Sequence, residues 1–140
     1  MYESEIELVE QFCQALIADV NQWGTFEIVR EFNYIRGKTD VVAINQKGEV
    51  LAFEAKLTKW RIALDQAYKN TSFANQSYIV LPEAIANRSK RYTYEFEKRG
   101  VGICYISEGN ICVILEARYN EVLQPWLTRE ARTLAKECYD

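Results

Sequence analysis

The chain has 140 residues, of which 49% are hydrophobic and 26% charged, with a formal net charge of −3 at pH 7 and no histidine. This composition excludes fibrous and disordered classes, and the length fits one domain with a single core. Without histidine, any chemistry must use carboxylates, Lys, Tyr or a metal held by oxygen ligands. No apolar run approaches the roughly 20 residues of a membrane span, and the acidic N-terminus is unlike a secretory signal. We therefore expect a cytoplasmic protein with no membrane partner.

Acidic and basic residues are unevenly distributed along the chain. Residues 1–29 contain six acids and no Lys or Arg, whereas residues 30–100 contain thirteen bases and eight acids. Residues 101–140 contain four bases and six acids. The overall charge argues weakly against a nucleic-acid partner, but the basic middle of the chain keeps such a partner open.

The first half of the chain predicts one helix followed by three strands. Apolar residues at helical spacing, among them Ile6 and Ile17, indicate an amphipathic helix from Glu3 to about Asp19. The segment WGTFEIVREFNYI is rich in β-branched and aromatic residues and predicts a strand. TDVVAIN and EVLAFEAKL then predict a hairpin around a three-residue loop, with Gly48 in the left-handed conformation.

The second half predicts a helix, a strand, a basic helix, two strands and a final helix. WRIALDQAYKNTSFA indicates the first of these helices, and QSYIVLP indicates a short buried strand. EAIANRSKRYTYEFEKRG predicts one basic helix that ends at Gly100, and the final helix is broken or begins at Pro125. The order predicts an α/β fold with a mixed central sheet flanked by helices on both faces.

The hairpin carries Asp40, Glu54 and Lys56 among its apolar residues. A three-residue loop pairs Asn45 with Glu49, and the same register places Asp40 opposite Glu54, with Cβ atoms about 4.5–5.5 Å apart. Lys56 is two residues beyond Glu54 and shares its face of the strand. The hairpin therefore gathers two carboxylates and an ammonium group into one cluster.

Two buried carboxylates this close repel each other unless a cation lies between them. Mg²⁺ prefers oxygen ligands and keeps several waters, so Asp40, Glu54 and a substrate phosphate would suit it. The pattern therefore favours metal-assisted hydrolysis of a phosphodiester, with Lys56 orienting water or stabilising developing charge. The alternative is an ordinary sheet in which the three side chains form a salt-bridge network at the rim.

Asp40 followed by Glu54-Ala55-Lys56 resembles the signature of the PD-(D/E)XK nuclease superfamily, which includes restriction endonucleases and archaeal Holliday-junction resolvases. The resemblance implies a restriction endonuclease-like α-β-β-β-α-β core over about residues 1–82. Residues 83–140 are then extra C-terminal strands and a helix that decorate the same domain. It also implies a nuclease that uses Mg²⁺ or Mn²⁺, with Asp40 and Glu54 as ligands. Thr39 stands where the superfamily's name has Pro.

The segment EIELVEQF is similar to the first helix of the resolvase-like branch, where a Glu joins the metal ligands. This similarity implies Glu5 as an auxiliary ligand, with Glu7 as the alternative. Relatives of RecB type carry a Gln and, three positions later, a Tyr in the helix after the Lys. Gln66 matches that Gln and is a candidate helper that positions water or phosphate, but Lys69 stands in place of the Tyr. A solvated helix residue is the competing interpretation of Gln66.

Several basic and aromatic residues around the cluster are candidates for binding nucleic acid. The same residues also have ordinary interpretations, because a Trp at a helix start can cap the core and a charge run is often a solvated helix face. The candidates are Lys38, Lys59, Trp60, Arg61, Arg88 and Arg91.

The sequence thus predicts a metal-dependent nuclease that acts on DNA. A catalytically silent nucleic-acid-binding or protein-interaction module on the same scaffold is the alternative. A third interpretation is a structural or regulatory protein with no nucleic-acid role. The final helix is expected to cover the sheet or to form the contact surface of a homodimer.

Overall fold

The computed structural model describes residues 2–18, 22–24, 27–34 and 37–139. Their helices and strands follow the predicted order, with six strands in one sheet. The elements in chain order are α1 (Glu5–Ile17), β1 (Glu27–Tyr34), β2 (Gly37–Ile44), β3 (Val50–Ala55), α2 (Trp60–Asn70), β4 (Gln76–Val80), α3 (Glu83–Ser89), a 3₁₀ turn (Lys90–Tyr92), α4 (Thr93–Arg99), β5 (Val101–Ser107), β6 (Asn110–Leu115) and α5 (Pro125–Tyr139).

Helix α1 begins with a side-chain cap. The hydroxyl of Ser4 accepts a hydrogen bond from the backbone N–H of Glu7 at 3.1 Å, which satisfies one of the free donors of the first turn. The buried face of the helix includes Leu8 and Phe12, whereas Ile6 and Ile17 are exposed. Of the apolar face that the spacing predicts, Val9, Cys13 and Leu16 are therefore confirmed as buried, and Ile6 and Ile17 are not. The predicted end near Asp19 lies outside the described residues.

The β2–β3 hairpin has the predicted register. Val41 pairs with Phe53 and Ile44 with Val50, so continuing the ladder places Asp40 opposite Glu54. Gly48 has a φ of +79°, in the left-handed region where glycine carries no steric penalty. The loop length therefore fixes which residues face one another at the far end of the hairpin.

The six strands lie side by side in chain order, β1 to β6. Strands β1–β2–β3 are antiparallel, β3–β4–β5 are parallel, and β5–β6 are antiparallel. The predicted mixed sheet is thus confirmed, and so are the α-β-β-β-α-β core and its C-terminal extension.

Helices cover both faces of this sheet. Helix α1 packs on one face, against a cluster that includes Phe53 and Tyr78. Helix α5 packs on the opposite face against the Val42 side of the hairpin, and α2, α3 and α4 pack beside it against Ile79 and Ile103. Glu54 lies on this second face, because it shares the strand parity of Ala52.

The basic segment after β4 is not the single helix that the sequence predicted. It is divided into α3, the 3₁₀ turn and α4, and it ends as predicted at Gly100, with φ of +71°. At the division, the buried hydroxyl of Ser89 donates to the carbonyl of Ala86 at 2.6 Å. Such a local bond competes with the regular helical ladder. Phe96 of α4 is then fully buried against the sheet.

The last helix begins at Pro125, which was one of the two predicted alternatives, and is not broken there. Proline suits the first helical position because its missing N–H would be unpaired there in any case. In the part of the chain that the structure describes, no helix is both long enough and apolar enough to cross a membrane.

Candidate functional site

Asp40 and Glu54 meet at the open end of the β2–β3 hairpin. The backbone N–H of Ala55 donates to Oδ2 of Asp40 at 2.9 Å, and the two carboxyl groups lie close enough to interact directly. Glu54 is only 5% exposed, which is unusual for an ionisable side chain. The fold therefore brings together the two carboxylates that the sequence predicted to lie opposite each other.

Burial dominates the electrostatics of this pair. Burial and, after it, the nearby charge of Asp40 together raise the pKa of Glu54 to about 8, against hydrogen bonds from Asn70 and the Asp40 backbone. Burial also raises the pKa of Asp40, while the Ala55 N–H and Lys56 act in the opposite direction. Both carboxyl groups are thus destabilised in their ionised form, as expected for like charges held close together.

A cleft of about 230 Å³ opens over the carboxylate pair. The exposed side chain of Ile62, which the sequence did not single out, also lines it. Six residues predicted from the sequence line this cleft: Glu5, Lys38, Asp40, Glu54, Lys56 and Gln66.

Glu5 and Lys56 form an ion pair across the mouth of the cleft. Lys56 Nζ lies 3.5 Å from Oε1 of Glu5, and both side chains are partly exposed. Glu7, the alternative to Glu5, instead accepts hydrogen bonds from the backbone N–H of Glu3 at 2.9 Å and the Gln11 amide at 3.3 Å. The structure thus places Glu5, rather than Glu7, in the cleft.

Glu5 does not form a three-carboxylate cluster with Asp40 and Glu54. Over residues 2–18, 22–24, 27–34 and 37–139, no group of three or more acidic or cysteine side chains is arranged to hold a metal ion. Glu5 instead lies with its Oε1 3.5 Å from Lys56 Nζ. The carboxylates that face each other directly are therefore Asp40 and Glu54.

The donor set of this pair fits a hard divalent cation. Ala55 holds one oxygen of Asp40, and the Asn70 amide holds one oxygen of Glu54 at 2.8 Å. Each carboxylate is thus held in orientation, and its oxygens retain lone pairs that a cation could use. Mg²⁺ typically takes one or two carboxylates and completes its shell with water and phosphate oxygens.

Asn70 is a member of the site that the sequence analysis missed. It is 1% exposed, and its Oδ1 accepts hydrogen bonds from the hydroxyls of Tyr34 and Thr39, each at 2.8 Å. Its Nδ2 donates to Oε2 of Glu54. Asn70 lies four residues after Gln66, on the same face of α2, and this spacing could have revealed it.

The predicted nucleic-acid-binding residues of the β3–α2 junction have different surroundings. Lys59 is exposed, whereas the ring of Trp60 is 9% exposed and packs against Tyr92 and Phe96, with centroids 5.1 and 5.2 Å away. The guanidinium of Arg61 lies 4.2 Å from the centroid of the Trp60 ring. The structure therefore gives Trp60 a packing role at the helix start, the alternative that the sequence allowed.

The other predicted basic residues lie on exposed positions. Lys38 lines the cleft with its Nζ 3.6 Å from the Glu31 carboxylate. Arg88 on α3 and Arg91 in the 3₁₀ turn are exposed on the segment that follows β4. These two arginines do not line the cleft. They could bind nucleic acid only if the substrate extended beyond the cleft.

The architecture and the site geometry define a mixed α/β fold with a buried carboxylate pair at the end of a hairpin. No family model matches the chain, and no curated protein is similar to it in sequence. The solved structure of a protein of unknown function from Silicibacter pomeroyi is similar over 99% of this chain and 88% of that chain, with a TM-score of 0.68 and 11% identity.

A second similar structure is a repair endonuclease from Pyrococcus abyssi, with a TM-score of 0.51 and 18% identity. The similarity covers 76% of this chain and 49% of that chain, so the present chain spans about half the length of the endonuclease. At these identities the similarities concern the fold, and the fold resembles that of a repair endonuclease.

Proposed function

We propose that the protein is a metal-dependent nuclease of the PD-(D/E)XK superfamily that hydrolyses phosphodiester bonds in DNA. The observation that carries the proposal is the buried Asp40–Glu54 pair at the floor of an open cleft. Burying two neighbouring carboxylates costs free energy, and apolar side chains at these positions would stabilise the fold better. Buried ionisable groups with shifted pKa values are most often found at functional sites.

Asp40 and Glu54 would hold Mg²⁺ or Mn²⁺ through one oxygen each. The bound cation would supply positive charge that polarises the phosphate and makes a neighbouring water a better nucleophile. Lys56 lies in the same cleft and would stabilise the negative charge that develops on the phosphate oxygens. Gln66, half-buried beside Gly37, would orient the water or the phosphate.

Glu5 has a different part in this proposal from the one expected of an auxiliary ligand. Its ion pair holds Lys56 over the cleft before substrate enters. A substrate phosphate would compete with Glu5 for the ammonium group, because both are anions. Glu5 would then be free to bind the cation through a water molecule, which is a form of the auxiliary-ligand role predicted from the sequence.

The proposed substrate is DNA bound through its backbone by Lys38 at the cleft and Lys59 at the start of α2. Phosphate contacts of this kind supply most of the affinity of proteins for nucleic acids. A single cleft cuts one strand at a time, so cleavage of both strands of a duplex would use a homodimer.

The test is titration of Mn²⁺ into the wild-type protein and into Asp40→Asn and Glu54→Gln, followed by cleavage assays with duplex, single-stranded and branched DNA. Glu7→Gln is the matched control, because Glu7 is an acid of α1 that does not line the cleft. We expect metal binding and cleavage in the wild type and the control, and loss of both in the two site variants.

Two other results would redirect the proposal. DNA binding without Mn²⁺ binding would favour a catalytically silent nucleic-acid-binding module, for which the engaged Lys56–Glu5 pair is the supporting observation. Absence of both metal and DNA binding by the wild type would overturn the nuclease proposal.

A further inference from the structure

A second cavity lies beside the cleft and is larger than the cleft itself. Its volume is about 680 Å³, against about 230 Å³ for the cleft. Ala55 and Lys56 line the cleft, and the two residues that follow them, Leu57 and Thr58, line the larger cavity, which we call the side pocket. A group bound in the side pocket would therefore lie next to a phosphate bound at Lys56.

Main-chain hydrogen bonds fix the side pocket at the carboxyl ends of the parallel strands. The N–H of Lys56 donates to the carbonyl of Val80 at 3.2 Å, and the N–H of Leu81 donates to the carbonyl of Cys104 at 3.1 Å. These bonds continue the sheet beyond β3 and β4, up to the residues at which the chain enters the pocket wall. The pocket is therefore formed before a ligand binds, as most sites for small organic groups are.

Apolar side chains form most of the wall of the side pocket. Leu57, Pro82, Ile85 and Ile106 line it, and each is half-buried. Tyr2, also half-buried, adds an aromatic ring to the lining. A cavity of several hundred Å³ with a mostly apolar wall is typical of sites that bind small organic groups, and nucleobases bind aromatic side chains through their ring faces.

The charges of the two cavities differ. Lys38 and Lys56 line the cleft together with its carboxylates, whereas none of the described residues that line the side pocket is Lys or Arg. The pocket has the carboxylates of Glu83 and Glu108, and in the described part of the chain neither forms an ion pair or a hydrogen bond. Carboxylates repel a phosphate but accept hydrogen bonds from the amino group of a base such as cytosine. The side pocket therefore suits the base of a nucleotide and not its phosphate.

We propose that the side pocket binds an unpaired nucleobase next to the scissile phosphate. The inference rests on the proposed function, because it places that phosphate at Lys56 in the cleft. A base in a Watson–Crick pair is stacked inside the duplex and reaches a pocket only after it has been unpaired and unstacked. The preferred substrate is therefore DNA whose reacting strand is unpaired at this nucleotide, as in a single strand or at a branch point, rather than an uninterrupted duplex.

The test compares two fluorescently labelled oligonucleotides of equal length, one of deoxycytidylate and one of abasic nucleotides. Both probes carry the same number of phosphates, so a difference in affinity comes from the bases. Fluorescence anisotropy at low salt measures binding, and EDTA prevents the proposed cleavage. Because binding of one base is worth a substantial part of single-strand affinity, we expect the wild type to bind the deoxycytidylate at least about fivefold more tightly.

Ala84→Trp is the variant that fills the side pocket. Ala84 lines the pocket but is exposed on α3, so the larger side chain does not disturb the core. Asn87→Trp is the matched control, because Asn87 is exposed on the same helix and does not line the pocket. We expect the affinity ratio of the two probes to fall towards unity in Ala84→Trp and to keep the wild-type value in Asn87→Trp. Ser107→Trp, at the end of β5, fills the same pocket from a second element and should repeat the result.

The possible failures are distinguishable. If the wild type binds neither probe, the DNA-binding part of the proposed function fails, and the inference fails with it. If the wild type binds both probes equally, or if the ratio is unchanged in Ala84→Trp and Ser107→Trp, the base does not enter the side pocket. The inference is then overturned while the nuclease proposal stands, and the side pocket would have another occupant.

Discussion

Asp40 and Glu54 hold their carboxyl groups in contact across the β2–β3 hairpin, on the sheet face that α2 covers. The hairpin could bury apolar side chains at both positions, as it does at Val42 and Ala52 next to them. The protein therefore gives up stability at this place, which is common where a fold carries a functional site.

Neutralising Glu54 should stabilise the metal-free protein. In Glu54→Gln the shape is nearly kept, the Asn70 amide keeps an oxygen acceptor, and the repulsion with Asp40 disappears. We expect the free energy of unfolding to rise by about 1–2 kcal/mol at pH 8. Urea unfolding in the presence of EDTA measures it.

The control for this variant is Glu49→Gln. Glu49 lies on the same hairpin, and its carboxylate accepts a hydrogen bond from the Asn45 amide at 2.8 Å. The free energy of unfolding of Glu49→Gln should differ from that of the wild type by no more than about 0.5 kcal/mol, as for most substitutions at the surface. A clear loss of stability in Glu54→Gln would instead show that the ionised cluster is a stabilising salt-bridge network.

The stability of the metal-free protein should decrease as the pH rises from about 5 to about 8. Burial and the charge of Asp40 raise the pKa of Glu54 from 4.5 to about 8 in the folded state. Between these values the folded protein keeps a proton that the unfolded chain has released, so raising the pH favours unfolding. Below the pKa of Glu54 in the unfolded chain, the side chain is protonated in both states, and its stabilising contribution is fully present.

Urea unfolding at a series of pH values, again with EDTA, measures this slope in the wild type and in Glu54→Gln. The variant should show a flatter profile, with the remaining slope in this direction due to Asp40, whose pKa is also raised by burial. Equal slopes in the two proteins would contradict the assignment of the titration to Glu54.

The hairpin and its carboxylates could be predicted because the relevant information is local. Loop length and the period of two along a strand determine that Asp40 faces Glu54, and no distant part of the chain can change that. The edges of the buried face of α1 could not be fixed in the same way, although its centre at Val9, Cys13 and Leu16 was predicted correctly. Ile6 and Ile17 fit the helical spacing as well as Leu8 does, and only packing against the sheet decides which of them is buried.

Spacing could place Asn70 on the same face of α2 as Gln66, but it could not show which groups the side chains of the site would contact. Lys56 follows from the motif, but its ion pair with Glu5 joins residues about fifty positions apart through long side chains. Asn70 bonds Glu54 and Thr39 because the end of α2 lies over the hairpin. The break of the basic helix near Ser89 has a different cause. The Ser89 hydroxyl bonds the Ala86 carbonyl and competes with the helical hydrogen bonds, and the residue type alone does not show whether this bond forms.

Glu31 should be replaceable by glycine with no loss of stability. It lies in β1 between Arg30 and Phe32, which pair with Val41 and Thr39, yet its φ is +56°. The left-handed region costs a residue with a side chain about 1–2 kcal/mol, and glycine avoids that cost. Its ion pair with Lys38 is exposed on both sides and contributes little.

We therefore expect Glu31→Gly to be neutral or stabilising by up to about 1 kcal/mol, and Glu31→Val to be destabilising by about 1–2 kcal/mol. Thermal unfolding of the two variants beside Glu31→Gln, which removes the charge and keeps the chain length, separates backbone strain from the ion pair. Destabilisation by glycine greater than that by valine would show that β1 does not need the left-handed conformation at this position.

Lys59 should contribute to DNA affinity without contributing to folding. It is exposed at the start of α2, three residues from both Lys56 and Ile62, which line the cleft, and within the described part of the chain no ion pair engages its ammonium group. Loss of one phosphate contact should weaken DNA binding and reduce the slope of log K against log salt by about one. Fluorescence anisotropy with a labelled duplex at a series of salt concentrations measures both quantities for Lys59→Ala.

Arg61 provides the informative contrast, because its guanidinium is already engaged within the protein. It lies 3.1 Å from the Glu95 carboxylate and stacks on the rings of Trp60 and Tyr92. Arg61→Ala should therefore lower the melting temperature as well as any DNA affinity, whereas Lys59→Ala should leave the melting temperature unchanged. Lys47→Ala, at the hairpin turn away from the cleft, is the control for general charge. Equal losses of affinity in Lys47→Ala and Lys59→Ala would show that DNA is attracted by overall charge and not bound at the cleft.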